Sequence, residues 1–501
     1  MPTDRRLVLV FVVDGLRPDS LTAEDTPTLL RLRAEGVDLV NSHAVFPTVT
    51  RVNAAAIATG TQPGTNGLVG NQMFVPAVDS RRAFDTGNYR NFLTLDQATG
   101  GRGLQAPTLA ERLHARGLVL AGVSSGSTGS AFLLNPKSPS GVGVLVNGYL
   151  EPGKTVAYPA HVSEAILAKF GPAPVKEAGA PRYDASVAWI QQVLREYVLP
   201  ELAPTVVINW LTEPDHSQHH SGVGSPSARE ALAHDDREIA RVLATLDDLD
   251  LTASTDVLVT SDHGFSTNTA GVDVARALID ARLKASPDSG DVVLASSGQA
   301  VALHVENHDG ERIGRIARFV QSQEWGGVVF VAGRAPADPR GAVQGTFSLE
   351  LIHAANHERG ADLLFTFPWS SRSNAFGVPG SDLANVSGGA KLHASDHGSM
   401  SPWNVHNTLL AWGVDFKKRA TVRAPAGNVD VTPTILALLG IAEGGGLDGR
   451  VLHEALEGPA DPEQVAVDTR VLTVEAGAYR AAIQASEVDG RRYVDKSWRI
   501  R

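Results

Sequence analysis

The stretch LVLVFVVDG, residues 7–15, is an unbroken run of apolar, mostly β-branched side chains that stops abruptly at Asp14. Such runs are typical of strands that are buried on both faces of a parallel sheet. Arg5 and Arg6 in front of the run imitate the basic start of a secretory signal, but an acid follows at once and no small-residue cleavage site lies beyond it. The stretch therefore predicts a buried first strand rather than an export signal.

Similar runs recur along the chain and alternate with helix-like segments. PTVVINWL (204–211) and TDVLVTSD (255–262) have the same strand-like character, whereas PTLLRLRAEG (27–36) has the apolar spacing of a helix. Alternation of this kind favours a parallel sheet that is covered on both faces. We therefore predict an α/β fold with a mostly parallel central sheet sandwiched by helices.

The character of the sequence changes after Phe265. Residues 266–390 mix helix-like and strand-like segments with joints rich in Gly, Pro and Asn, which is typical of an α+β unit. We predict a discontinuous core formed by residues 1–265 and 391–501, with an inserted α+β lobe at 266–390. Residues 71–158, which are rich in Gly and Pro, are expected to supply loops over the functional site. The pair Asp489-Gly490 predicts the turn of a terminal hairpin.

The composition restricts the classes of function. The chain has 501 residues, 43% of them hydrophobic, which is enough for one large core or two moderate ones. Its formal net charge is −11 and it has no Lys/Arg-rich run, so binding to a nucleic-acid polymer is not expected. The absence of cysteine excludes disulfides, thiolate metal ligands and a cysteine nucleophile. No apolar stretch approaches the roughly 20 residues that cross a bilayer, so we expect a cytoplasmic protein without membrane association, with a periplasmic or secreted location as the alternative. The oligomeric state stays open.

Three predicted strands are followed by an aspartate. Asp14 ends the first strand, Asp215 follows the strand at 204–211, and Asp262 ends the strand at 255–262. Ligands of open α/β sheets bind beyond the carboxyl ends of the strands, so these carboxylates are expected to converge there. Each also has a simpler interpretation: Asp14 as a helix N-cap, Asp262 as a turn residue, and Asp215 as part of a solvated polar loop.

Histidines accompany these acids and complete a possible metal site. His263 follows Asp262 directly, His219 lies four residues after Asp215, and His397 stands in a similar His-Gly pair. Carboxylate and imidazole groups are ligands of Zn2+, and three of each suffice for two divalent ions, with Mg2+ or Mn2+ as alternatives. Neighbouring histidines compete for these roles: His216 and His220 with His219, and His393 and His406 with His397.

A candidate nucleophile lies between the first two acids. Thr50 immediately precedes RVNAAAIATG (51–60), a helix-like segment whose N-terminus would favour an anion such as phosphate. Coordination to a divalent cation would lower the pKa of the threonine hydroxyl and make it reactive near neutral pH. The simple alternative for Thr50 is an N-cap. Asn71 could donate its amide N–H to a phosphoryl oxygen, although Gly70-Asn71 also suits a plain turn.

These motifs, in this order, resemble the alkaline phosphatase superfamily, and most closely its nucleotide pyrophosphatase/phosphodiesterase branch. The resemblance is carried by PTVTRVN (47–53), ATGTQPGTNGLVGN (58–71), EPDHSQH (213–219), SDHG (261–264) and HGS (397–399). It implies the alkaline-phosphatase-like fold, Thr50 as the nucleophile and Asn71 as the residue that orients the phosphate. It also implies two zinc ions, one held by Asp215, His219 and His397 and the other by Asp14, Asp262 and His263.

The chain departs from the family pattern beside the nucleophile. Where the family carries an aromatic residue and a proline, the chain has Arg51 and Val52, and Asn66-Gly67 replaces a His-Gly pair. Arg51 could bind a phosphoryl, carboxylate or sulfonyl oxygen of the substrate, or it could be a solvent-facing helix residue. These changes concern substrate preference rather than metal chemistry.

We therefore expect a metal-dependent hydrolase that cleaves phosphodiester or pyrophosphate bonds of small, nucleotide-like substrates through a phosphothreonine intermediate. The alternatives are a phosphomonoesterase, a carbon–phosphorus hydrolase resembling phosphonoacetate hydrolase and, in a different class, a non-catalytic metal- or phosphate-binding protein. A sulfatase is disfavoured, because the Cys or Ser motif that sulfatases modify is absent at this position.

Overall fold

The computed structural model describes residues 5–335, 337–442 and 445–500 of the protein. A nine-stranded sheet forms its centre. Its strands in chain order are β1 (Leu7–Val13), β2 (Val37–Leu39), β3 (Leu120–Ser124), β4 (Val144–Glu151), β5 (Thr155–Tyr158), β6 (Val206–Leu211), β7 (Thr255–Thr260), β8 (Leu409–Gly413) and β9 (Ala420–Val422). Their spatial order is β9-β2-β8-β7-β1-β6-β3-β4-β5. Pairing is parallel from β7 to β4 and antiparallel at β8 and β5. The predicted mostly parallel sheet is therefore confirmed.

Helices cover both faces of this sheet, as predicted. The principal helices in chain order are α1 (Pro27–Glu35), α2 (Thr50–Thr59), α3 (Tyr89–Ala98), α4 (Leu109–His114), α5 (Thr128–Leu134), α6 (Ala160–Phe170), α7 (Asp184–Val193), α8 (Asp215–Ser221), α9 (Pro226–Asp248), α10 (Val274–Asp280), α11 (Gly310–Ser322) and α12 (Val431–Leu438). A π-helical segment, Leu194–Leu202, continues α7.

The position of β1 explains why its sequence is apolar throughout. Val8, Val10 and Val12 pack into the core under α2, α3, α4, α5 and α12. The alternate side chains, such as Leu9 and Phe11, pack into the second core under α1, α6, α7 and α9. Successive side chains of a strand point to opposite faces, so a central strand with helices on both sides needs an apolar residue at every position.

Two of the sheets outside the central one are formed by residues between 266 and 396. A four-stranded sheet has the order Ser370–Ser373, Pro379–Asn385, Ser266–Val272 and Ser395–Asp396, and a five-stranded sheet has the order Val292–Ser297, Ala300–Val305, Leu363–Thr366, Val329–Val331 and Phe347–Ser348. Together with α10 and α11 they account for the α+β character of residues 266–390. The strand Ser395–Asp396 belongs to the four-stranded sheet although it lies outside residues 266–390. The division into core and inserted lobe stays a prediction.

The C-terminal residues form a three-stranded sheet of Asp468–Ala476, Tyr479–Val488 and Arg491–Ile500. Asp489 and Gly490 have φ values of 51° and 71°, the left-handed conformation of a tight hairpin turn, so the predicted hairpin is confirmed.

Residues 71–158 combine loops with regular elements. Loop residues such as Arg81 and Asp85 line the cavity of the candidate site, as expected. The segment also contains β3, β4 and β5 as well as α3, α4 and α5, so it does not consist of loops throughout.

Candidate active site

Three adjacent strands of the central sheet bring the three aspartates together. Asp14 follows β1, Asp262 follows β7, and Asp215 begins α8 just after β6. Because β7, β1 and β6 are parallel neighbours, their carboxyl ends meet at one edge of the sheet. The sequence-based expectation that these carboxylates converge matches their placement in the structure.

Asp215, His219 and His397 form the first group of possible metal ligands. Asp215 Oδ1 lies 3.4 Å from His219 Nε2 and 3.5 Å from His397 Nε2. The spacing of four residues puts Asp215 and His219 on one face of α8. His397 arrives from a different sheet, directly after the strand at 395–396. The ligand atoms of this group all lie within 4.8 Å of one another.

Asp14, Asp262 and His263 form the second group. His263 Nε2 lies 3.6 Å from Asp14 Oδ1 and 3.1 Å from Asp262 Oδ2. Ligand atoms of Asp14, Asp215 and His263 also lie within 4.8 Å of one another. The two groups therefore adjoin and could hold a pair of ions.

Backbone carbonyls fix the orientation of all three imidazoles. The Nδ1 atoms of His219, His263 and His397 each lie 3.0 Å from a carbonyl oxygen, those of Ser395, Gly264 and Thr48, respectively. A carbonyl oxygen can only accept a hydrogen bond, so Nδ1 carries the proton and donates. The lone pair of each Nε2 is thus left for a metal ion, as in histidine ligands of known metal sites.

The carboxylates show the same division between anchoring and free atoms. Asp14 Oδ2 accepts a hydrogen bond of 2.9 Å from Trp210 Nε1, and Asp262 Oδ1 accepts one of 3.1 Å from the backbone N–H of Gly15. In contrast, Asp14 Oδ1, Asp215 Oδ1 and Asp262 Oδ2 are buried without a hydrogen-bond partner among the described residues. Unpaired buried carboxylate oxygens are costly. These residues therefore fit two divalent cations, and their mixed oxygen and nitrogen donors suit zinc.

The electrostatics of the cluster reflect the crowding of like charges. Burial raises the pKa of Asp14 well above its ordinary value, and the charges of Asp262 and Asp215 add to the effect. Burial also acts to raise the pKa of Asp215, but His219 and His397 outweigh it and leave that pKa below its ordinary value. Burial opposes protonation of His219, yet Asp215 raises the pKa of His219 to about 9. Protons thus compete with cations for this cluster.

Thr50 lies beside the second group. It is the first residue of α2, and its Oγ1 lies 3.2 Å from His263 Nε2. The N-cap is Val49, so the alternative interpretation of Thr50 as a simple N-cap is wrong. Thr48 has a different task, because its hydroxyl donates to the carbonyl oxygen of Ser399 at 2.7 Å.

A cavity with a volume of about 780 Å3 lies at the candidate site. It is lined by Asn71 and Arg51, by Thr50 and by the first ligand group. Asn71 Oδ1 accepts a hydrogen bond of 3.1 Å from the backbone N–H of Arg51, which leaves the amide N–H groups of Asn71 available to a bound anion. Arg51 Nη2 donates to Asp85 Oδ1 at 3.0 Å, and the Arg51 side chain is 18% exposed. Arg51 therefore belongs to the cavity wall rather than to a solvent-facing helix surface.

The competing histidines lie outside the two groups. His216 stacks on Tyr183 with ring centroids 3.7 Å apart, and His220 is exposed. His393 lies on the cavity wall, with its ring centroid 5.0 Å from that of His219, a position that the sequence could not assign.

A third set of possible ligand atoms, His43, His406 and Asp495, was not anticipated. His43 uses both ring nitrogens, with Nδ1 3.0 Å from the carbonyl oxygen of Ala426 and Nε2 2.9 Å from Asp495 Oδ1. His43 and Asp495 therefore form a buried hydrogen-bonded pair that joins the C-terminal sheet to the core.

Comparison with known proteins identifies a family. The family model described as type I phosphodiesterase / nucleotide pyrophosphatase matches residues 8–323. Over 258 residues the chain is 24% identical to ectonucleotide pyrophosphatase/phosphodiesterase family member 1 of Mus musculus, a match that covers 51% of this chain and 24% of that protein. Over 90 residues it is 31% identical to venom phosphodiesterase of Naja atra, which covers 18% of this chain and 11% of that protein. The matches thus span about a quarter or less of these relatives.

Among solved structures, the chain is similar to murine ectonucleotide pyrophosphatase/phosphodiesterase 5, an inactive variant in complex with AMP. The TM-score is 0.61 at 16% identity, and the match covers 91% of this chain and 100% of that chain. This likeness confirms the predicted fold class.

Within the described ranges, no helix combines the length and the apolar character that a membrane span requires. The cytoplasmic location expected from the sequence gains no support from the relatives, which are named as an ectonucleotide enzyme and as a venom enzyme.

Proposed function

We propose, from the premise that this chain belongs to the type I phosphodiesterase/nucleotide pyrophosphatase family, that it hydrolyses phosphodiester or pyrophosphate bonds of small nucleotide-like substrates. Two divalent cations, zinc by the chemistry of the donor set, are the cofactors of this reaction. One cation belongs to Asp215, His219 and His397, and the other to Asp14, Asp262 and His263.

The position of the Thr50 hydroxyl is the main support for this proposal. The hydroxyl of Thr50 stands at the N-terminus of α2, 3.2 Å from His263 Nε2, and beside buried carboxylate oxygens that lack partners among the described residues. A protein that only binds metal or phosphate has no need of a hydroxyl at this point. The arrangement suits a nucleophile that is activated next to cationic charge.

The reaction has two displacements at phosphorus. Thr50 Oγ1 forms a bond to phosphorus while the bond to the leaving oxygen breaks, and the hydroxyl proton passes to the leaving group, which gives a phosphothreonine. Water then attacks the same phosphorus, the bond from phosphorus to Oγ1 breaks, and the phosphoryl product leaves. A proton from the water restores the hydroxyl of Thr50. When bound, the two cations supply Lewis-acid stabilisation of the developing charge. The amide of Asn71 and the first N–H groups of α2 donate hydrogen bonds to the non-bridging oxygens.

The test is substitution of Thr50. Thr50→Ala should abolish turnover of a nitrophenyl nucleotide diester and leave the metal content unchanged, whereas Thr50→Ser, which keeps a hydroxyl, should retain part of the rate. Thr94→Ala removes an exposed hydroxyl from α3 and should have no effect. A near-normal kcat for Thr50→Ala would rule out the covalent route.

The choice of substrate separates the remaining possibilities. Initial rates on the nitrophenyl nucleotide diester, on nitrophenyl phosphate and on phosphonoacetate should be highest for the diester. A dominant rate on the second or third substrate would make the protein a phosphomonoesterase or a carbon–phosphorus hydrolase. Bound metal without turnover of any of the three would make it a binding protein.

A further inference from the structure

The third set of ligand atoms, on His43, His406 and Asp495, lies where the C-terminal sheet meets the core. His43 belongs to the short strand Ser42–His43 and Asp495 to the strand Arg491–Ile500. One ligand atom of each of the three residues lies within 4.8 Å of those of the other two. None of these residues lines the cavity at the candidate active site. Three segments that are distant in sequence thus converge on a separate point.

Backbone carbonyls hold both histidines of this set, as they hold the three histidines of the active site. His43 Nδ1 donates to the carbonyl oxygen of Ala426 at 3.0 Å, and the ring of His406 donates to the backbone carbonyl of Ser42. A carbonyl oxygen can only accept, so the proton of each of these bonds belongs to the ring. The other nitrogen of each ring is therefore the one that can bind a cation.

A β-bulge presents the carboxylate of Asp495. The register of the hairpin shifts between Gln484 and Ala485, which leaves Asp495 as the extra residue of its strand. Bulges re-aim side chains and are frequent beside functional sites. Asp495 Oδ2 accepts hydrogen bonds of 2.9 Å from Ser486 Oγ and 3.3 Å from Gln484 Nε2. The other oxygen, Oδ1, lies 2.9 Å from His43 Nε2.

The geometry of the third set resembles that of the first ligand group. The ring centroids of His43 and His406 lie 4.8 Å apart with an angle of 55° between the rings. The two histidines of the first ligand group have values of 5.1 Å and 53°. In both sets one aspartate oxygen faces the imidazoles. The third set therefore repeats an arrangement of two imidazoles and one carboxylate that suits a transition-metal cation.

The charge states of these groups also fit a cation. Burial lowers the pKa of His406 to about 4, and the charge of His43 contributes, so the His406 ring is neutral at pH 7. Burial acts to raise the pKa of Asp495, but hydrogen bonds from His43 and Ser486 outweigh it and leave that pKa below its ordinary value. Asp495 is therefore an anion. Both nitrogens of His43 face acceptors, so the metal-free ring carries a proton at Nε2 that a cation can replace.

We propose that His43, His406 and Asp495 bind a third divalent cation, zinc by the chemistry of two imidazoles and one carboxylate. Binding releases the proton of His43 Nε2 to solvent, and a water that enters past the half-buried His406 takes the fourth position. His43 precedes Thr50 by seven residues, and His406 follows His397 by nine. The cation therefore ties both segments of the active site to the C-terminal sheet, a structural role that does not rest on the proposed hydrolysis.

The test counts zinc ions by elemental analysis after equilibration with a zinc buffer and gel filtration. His406→Gln should contain one ion fewer per chain than wild type, because it lacks one of the three ligands. His114→Gln, at an exposed site of α4, is the control and should keep the wild-type content. This difference of one ion does not depend on how many ions the active site holds, so failure of the proposed function would leave it unchanged. Equal zinc content in wild type and folded His406→Gln would overturn the proposal.

A second measurement uses wild type alone and so requires no variant to fold. In crystals of the zinc-loaded protein, anomalous scattering at the zinc edge should give a peak within bonding distance of His43 Nε2 and Asp495 Oδ1. If there is no peak at this position, a proton alone joins His43 to Asp495, and the proposal fails.

Discussion

Five of the six candidate ligand side chains use one atom for a hydrogen bond within the protein and leave another atom for the site. Asp14 is anchored through Oδ2 by Trp210, and Asp262 through Oδ1 by Gly15, while the opposite oxygens stay unpaired. The three histidines are anchored through Nδ1. This arrangement preorganises the ligands, so little side-chain freedom is lost when a cation binds.

Trp210 is the anchor that the sequence did not reveal, because its role depends on the register that places Trp210 opposite Val12. Trp210→Phe keeps most of the ring and removes the N–H that Asp14 accepts. We expect metal affinity to fall about tenfold or more, as for other residues that support metal ligands, measured by competition with a chromophoric chelator. Trp412→Phe, at a half-buried tryptophan of β8, should leave the affinity unchanged. Equal losses in both variants would contradict the anchoring role.

At the scale of elements, the turn after β7 depends on Gly264. Gly264 is not among the residues with positive φ, so its backbone conformation does not by itself require a glycine. The need is instead for space, because a Cβ at this position would meet the carbonyl oxygen of Trp403. The backbone N–H of Gly264 also donates to the carbonyl oxygen of Asn404 at 2.8 Å. The turn that carries His263 is therefore fixed against the segment that follows His397.

Gly264→Ala should push this turn away from Trp403. We expect a loss of about 1–3 kcal/mol in the free energy of unfolding, which is typical of overpacking, together with loss of bound metal because His263 moves. Urea denaturation in the presence of a chelator and elemental analysis measure the two effects. Gly310→Ala is the matched control, since a Cβ there meets open space at the start of α11. A variant at Gly264 with normal stability and metal content would refute this account.

The convergence of the ligands that follow strands of the central sheet could be predicted from the sequence. The position of His397, which comes from another sheet, could not be derived from the same rule. Asp14, Asp215 and Asp262 each follow a recognisable buried strand, and the rule for parallel sheets brings such ends together. His397 follows a two-residue strand of another sheet, and only its His-Gly pair and the family resemblance singled it out from His393.

At the scale of the whole molecule, the active site concentrates negative charge in a buried place. Asp14 and Asp262 are 3% and 0% exposed, and the charge of Asp262 disfavours ionisation of Asp14. The cations offset this repulsion when they bind, so the metal-free protein should be less stable than its packing alone would allow. Function and stability therefore oppose each other at this edge of the sheet.

Asp14→Asn tests this opposition. The pKa of Asp14 is raised in the folded protein, so its contribution to stability is present below the ordinary pKa and is lost as pH rises through the folded value. At pH 8 with a chelator, the variant should therefore unfold at a temperature about 3 °C higher than wild type, and the difference should vanish toward pH 3. Added zinc should raise the unfolding temperature of wild type strongly and that of the variant much less, as measured by scanning calorimetry.

Asp248→Asn, at an exposed helix end, should show neither effect. If metal-free Asp14→Asn were less stable than wild type at pH 8, the carboxylate would be stabilising without a cation, and the case for a buried metal site here would fail.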